Sequence, residues 1–136
     1  MKKIKLRLFE YYSLNLELNG TEQVKGLLQE TLPLVLKYHL TTLAKKVQEE
    51  MEVVEKIKLE LAQKYGKSND DGSWMVEMYV DAEQKEVSQN YISFHNEFNT
   101  LLNEEKEMEY SPIKLSYLED IKSDSNFPTI FKMVVE

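Results

Sequence analysis

The residues in this chain best suited to chemistry are three carboxylates, Glu49, Glu52 and Glu55, spaced three apart. Side chains at that spacing share one face of a helix. Two such pairs facing each other across a helical bundle can hold Mg²⁺ and support hydrolysis of a nucleotide pyrophosphate. That chemistry asks for E-x-x-E on one helix and E-x-x-D on the facing one. Glu49/Glu52 and Glu52/Glu55 supply the first half. The second half is missing, because none of Glu83, Glu86 and Glu97 has an aspartate three residues later. Glutamate is common on exposed helices, so the three read as a solvated charged face.

Other chemistries fare no better. A di-iron carboxylate bundle needs Glu-x-x-His, but Leu36 stands three before His39 and Ile92 three before His95. Each histidine flanks an apolar stripe and reads as a helix-side residue. There is no cysteine, which removes thiolate nucleophiles, disulfides and cysteine zinc sites. Asn69-Asp70-Asp71-Gly72 has the look of a calcium loop, but the twelfth position, where a bidentate glutamate is needed, is Val80. That segment reads as a hairpin turn. No phosphate-binding glycine loop and no nucleophile elbow is present. The sequence therefore predicts a non-enzyme with no catalytic residue, no metal site and no cofactor.

The elements that would position any site are clearer. Leu36, Leu40, Leu43, Val47, Met51, Val54, Ile57, Leu61 and Tyr65 recur in steps of three and four. They predict one helix from about Leu34 to Tyr65, roughly 48 Å long at 1.5 Å per residue. Pro33 opens it, with Thr31 or Leu32 as cap. Gly66 closes it, in the left-handed conformation expected at a helix C-terminus. A second stripe, Val87, Tyr91, Phe94, Phe98 and Leu101, predicts a helix over 82–103, started by a capping box of Asp81 and Gln84. It is the other stripe long enough to cover the first, which gives an antiparallel helical hairpin.

Short strands complete the picture. Residues 3–8 alternate and predict a strand with Lys2, Lys3, Lys5 and Arg7 on its solvated side. Leu14, Leu16 and Leu18 predict a second strand over 13–18, after a turn or bend at 9–12. Asn19-Gly20 breaks the chain, and Thr21 caps a short helix over 22–30. Trp74, Val76, Met78 and Val80 alternate as a strand, as do Ile113, Leu115 and Tyr117, although 116–120 also suits one helical turn. Residues 123–126 are turn-like, and 127–135 suit a strand or a short helix. The fold class is α+β: a long antiparallel helical hairpin with small β elements at its ends, in a single domain over 1–136.

Aromatic and methionine residues cluster at Trp74, Met75, Met78 and Tyr79, and again at Phe9, Tyr11 and Tyr12. Such residues suit a core or an interface. A strand with bulky groups on both faces is hard to bury twice within one small domain. Strands 74–80 and 113–117 read as apolar edges, which are usually paired or covered. The predicted interface is Trp74, Met75, Met78, Tyr79, Ile113 and Tyr117, meeting a protein partner or a second copy in a homo-oligomer.

The net charge of −7 opposes binding to naked nucleic acid or anionic lipid. No apolar run reaches the roughly 18 residues of a membrane span, and the basic opening lacks a secretory core. The chain is expected to stay inside the cell that makes it, away from membranes.

Two stretches carry a family likeness: L-P-L-V-L-K-Y-H-L-T-T-L-A-K-K-V-Q-E-E-M-E-V-V-E-K-I-K-L-E-L-A-Q-K-Y-G at 32–66 and F-N-T-L-L-N-E-E-K-E-M-E-Y-S-P-I-K-L-S-Y-L-E-D at 98–120. A long helix ending in K-Y-G, a polar D-G loop, a helix ending in L-L-N-E-E and a short strand pair resemble small uncharacterised proteins of tailed bacteriophages and prophages. The resemblance implies a viral protein in the host cytoplasm or within the virion, and no catalytic residues. The expected function is a virion or assembly component working through protein contacts. The alternatives are a phage inhibitor of a host defence or host protein, by acidic mimicry or nucleotide sequestration, and a Mg-dependent nucleotide pyrophosphohydrolase.

Overall fold

The computed structural model describes residues 1–118 and 127–135; the turn expected at 123–126 lies outside them. Helices and short strands alternate along the chain, with a long helix and small sheets at its ends. The residues group into two compact units. The first comprises Met1–Met51 and Glu105–Glu136, the second Glu52–Glu104.

In the first unit, β1 (Lys2–Arg7) pairs antiparallel with β4 (Glu105–Tyr110). The register sets Lys3 against Glu109, Lys5 against Glu107 and Arg7 against Glu105. Lys3 lies 3.8 Å from both Glu107 and Glu109. Exposed pairs of this kind stabilise by about 1 kcal/mol or less, but they favour this register, since a one-residue slip would turn every side chain to the other face. Inward, Leu6, Met108 and Tyr110 are buried.

The strand expected over 13–18 is instead part of a helix, α1 (Leu8–Asn19). Three leucines spaced by two fit a strand, but Leu14 and Leu18 also stand four apart. Together with Leu8 and Tyr11 they make one buried helix face, while Leu16 is 53% exposed. Gly20 ends the helix at φ +75, and a Cβ there would meet the Gly26 nitrogen at 2.4 Å. The short helix expected over 22–30 shrinks to a 3-10 turn, Leu27–Gln29. The Thr21 hydroxyl accepts from the Gln23 and Val24 amides and closes a local turn that leads into a bridge between Gly20 and Lys25.

The long helix α2 runs Leu34–Tyr65, as its periodicity predicts. Its first bond joins the Lys37 N–H to the Pro33 carbonyl. Leu36, Leu40, Leu43, Val47 and Met51 are buried in the first unit. Beyond the 3-10 turn Leu115–Tyr117, α4 (Pro128–Lys132) packs on α1, and Val134 of β6 (Val134–Val135) pairs in parallel with Ile113 of β5 (Ile113–Lys114). The tail thus holds both a helix and a strand. Ile113, Phe127, Ile130 and Met133 fill the core beneath them.

In the second unit, β2 (Lys67–Ser68) and β3 (Trp74–Met75) form a hairpin. Its turn is Asn69–Gly72, with Gly72 at φ +86 and Asp71 accepting from the Ser73 amide and hydroxyl. Gly66 is not left-handed, contrary to expectation. It is needed because the Met75 carbonyl comes so close that a Cβ would sit 2.4 Å from it.

The expected strand 74–80 stops at Met75, and Tyr79 makes an isolated bridge to Val87. The Asp81 carboxylate accepts from the Lys85 and Glu86 amides, not as a helix cap but to close a turn with Gln84 at φ 60. Helix α3 therefore begins later than expected and spans Gln89–Leu102, with Ser88 at its cap. It faces the α2 segment of this unit, Lys58 lying over the Phe98 ring and Lys64 pairing with Glu97.

Candidate functional site

The shortened α3 leaves the last turns of α2 incompletely covered. Val54 is buried, but Ile57, Leu61 and Tyr65, which continue the same stripe, are half-buried. Between the two helices and β3 lies a groove of about 500 Å³. Leu59 and Ala62 come from α2, Trp74 and Met75 from the hairpin, and Tyr91, Phe94, His95 and Phe98 from α3, with Glu55 and Lys58 at its edge. His95 packs 4.3 Å from Tyr91 and 5.5 Å from Phe94, ring to ring, so it acts as part of the aromatic wall. A neighbouring depression shares Met75 and Val76 and adds Glu77, Met78, Tyr79 and Asp81.

The end of the α2 segment is clasped to α3. Lys64 Nζ lies 3.5 Å from the Glu97 carboxylate and 4.9 Å from the centre of the Tyr65 ring. Hydrogen bonding to Tyr65, reinforced by Lys64, holds the Glu97 carboxyl below the usual carboxylate range. The same tyrosine, then Glu97, pushes the Lys64 ammonium up.

The expected interface residues separate. Trp74, Met75 and Met78 are exposed and Tyr79 is half-buried, all in the second unit. Tyr117 is half-buried in the first unit. Ile113 is 1% exposed, packed in that unit's core beside Val134, and so offers no surface. Its strand is an edge in sequence, but its partner arrives from the far end of the chain. Of the second aromatic cluster, Tyr11 is buried, Tyr12 half-buried and Phe9 exposed.

Glu49, Glu52 and Glu55 are exposed on α2, and no group of three metal-ligating side chains assembles among the described residues. His39 is half-buried against Tyr38. No helix among the described residues is long and apolar enough to cross a membrane. Sequence reasoning missed the groove's other walls, Leu59, Ala62 and His95. Leu59 falls off the buried stripe, and a leucine between Lys58 and Glu60 on the charged side of the helix is the signal the sequence held; it is 48% exposed. Comparisons with models of protein families, with curated proteins and with solved structures find no match.

Proposed function

We propose that this chain is a non-enzymatic interaction protein whose second unit is completed by a protein partner. One observation carries the reading. Among the described residues, eighteen apolar side chains are buried in the first unit and three, Val54, Phe94 and Phe98, in the second. The second unit leaves Val53, Leu59, Trp74, Met75, Met78, Val80, Val87 and Ile92 exposed. A unit with so small a core gains most from apolar surface covered by another protein, at about 25 cal/mol per Å² buried.

The resemblance to tailed-phage proteins makes a virion or assembly role the leading setting. A host-directed inhibitor is the second reading, favoured by the charge distribution. The second unit holds eleven carboxylates against five lysines, so it carries most of the net −7. Self-association has separate support in the first unit, where Leu34, Val35 and Tyr38 stand exposed around a depression of about 560 Å³.

Light scattering over a concentration series, with a pull-down from cells that carry the gene naturally, tests the proposal. A mass above 16.1 kDa or a retained partner is expected. The retained partner should be lost in the double variant Met75→Asp, Met78→Asp that keeps its helical circular dichroism. Association unchanged by that variant, or a monomer with no partner, overturns it.

A further inference from the structure

We propose that the groove of the second unit receives an amphipathic, lysine- or arginine-rich helix from another protein. This rests on the reading that the chain works through protein contacts, and it names the chemistry of the partner. The floor is apolar and aromatic: Trp74, Met75, Phe94 and Phe98, with Leu59 beside them. Glu55 and Lys58 line its edge, Lys58 lying over the Phe98 ring. The adjoining depression carries the apolar surface on through Met75 and Met78 and brings in Glu77 and Asp81. An apolar floor continued by Glu77 and Asp81, in a unit of eleven carboxylates against five lysines, is the complement of a helix with one apolar face and cationic sides.

Three further observations favour that occupant. The α3 residues that line the groove run from Tyr91 to Phe98, about 11 Å at 1.5 Å per residue, so the groove seats roughly two turns of a docked helix and the adjoining depression extends the contact. Its methionines are unbranched and polarisable, and they adapt to the uneven side chains of a helix better than branched residues do. The apolar surface runs on past the main groove, further than a small ligand would cover. Charge disfavours the other candidates. A second copy would bring another unit with eleven carboxylates against five lysines onto the same face, and nucleic acid would bring more negative charge still. Within the unit Glu97 pairs with Lys64 and Glu83 with Lys85. Glu77 makes no ion pair among the described residues and is open to an incoming cation.

Trp74 is the sole tryptophan and lines the groove, so its fluorescence reports occupancy directly. The full chain is titrated with three synthetic peptides of about fourteen residues. One places leucines on a single helix face with lysines elsewhere, one replaces the lysines with glutamates, and one scrambles the lysine peptide. The first should shift Trp74 emission to the blue and bind about tenfold more weakly in high salt. Glu55→Lys with Glu77→Lys, both exposed and so compatible with folding, should weaken it by about tenfold as well. The glutamate and scrambled peptides should not bind.

Equal binding of the glutamate peptide, equal binding of the scrambled one, or binding of the lysine peptide without a change at Trp74 overturns the proposal. If no peptide binds while Met75 and Met78 still govern association, the partner chemistry assigned here is wrong and the protein-contact reading stands. If no peptide binds and those methionines have no effect, both fall.

Discussion

The Glu17 carboxylate accepts a hydrogen bond from the Ile130 N–H at 3.0 Å, across 113 residues of sequence. The same oxygen accepts from the Thr129 N–H at 2.9 Å. These amides belong to the first turn of α4, where backbone N–H groups lack helical partners. Glu17, 8% exposed on α1, therefore caps a helix that its own sequence caps poorly, since Phe127 offers no side-chain acceptor. Glu17→Ala should destabilise the chain by about 2 kcal/mol and Glu17→Gln by about 1 kcal/mol, because the amide keeps one acceptor. Urea unfolding followed by circular dichroism reads both; midpoints that do not move would contradict the assignment.

Seven residues earlier on the same face, Glu10 accepts from Lys132 in the last residue of α4, so α1 holds α4 at both ends. Burial pushes the Glu10 carboxyl up, but the Lys132 hydrogen bond, the Arg7 amide and the charges of both residues outweigh it and hold it below the carboxylate range. A lowered folded value means that stability is present above the ordinary 4.5 and is lost as pH falls below it. Lys132→Met should make the thermal midpoint less sensitive to pH on that acid side. Parallel acid profiles for the variant and the parent would refute the clamp.

Tyr11 carries the opposite sign. It is 1% exposed, and its hydroxyl donates to the Lys106 carbonyl at 3.0 Å. Burial, then the nearby Glu50, pushes the phenol from 10 up to about 12. A raised value stabilises the fold below pH 10, and that contribution is lost as pH rises toward about 12. Tyr11→Phe should lose about 1 kcal/mol at neutral pH and show a flatter alkaline limb. Thermal melts between neutrality and that limit would expose a wrong sign directly.

Phe98 lies at the heart of the second unit, 9% exposed, with Phe94 at 6.1 Å between ring centres. Phe98→Ala should cost about 3 kcal/mol, the low end for a buried phenylalanine, because one edge of the ring borders the groove. Amide exchange should accelerate across 89–102 and remain slow in α1. Uniform acceleration of both units, or none, would show that Phe98 is not the local core.

Much of this architecture was legible before the structure. The bounds of α2 follow from nine apolar positions in helical phase between Pro33 and Gly66. The first strand follows from its alternation. The sequence does not expose β4 or its pairing with β1: Lys3, Lys5 and Arg7 face Glu109, Glu107 and Glu105, but charge complementarity between distant segments has no local period. Leu14, Leu16 and Leu18 fit strand and helix alike, and only the burial of Leu14 and Leu18 on one face decides. Asp81 shows why α3 was drawn too long: it accepts backbone amides as a cap would, but Gln84 turns the chain out of the helical region. The exposed part of the site was read from bulky groups on both sides of 74–80. Ile113 was misplaced because its cover, Val134, is remote in sequence.

The central claim, that a protein covers the second unit, is tested most directly by placing a photoactivatable phenylalanine at position 75 in cells that carry the gene naturally. A control chain carries it at Val24, which is equally exposed but lies in the first unit. Irradiation should give one discrete protein adduct from position 75 and none from position 24. No adduct, or the same adducts from both positions, would contradict the account.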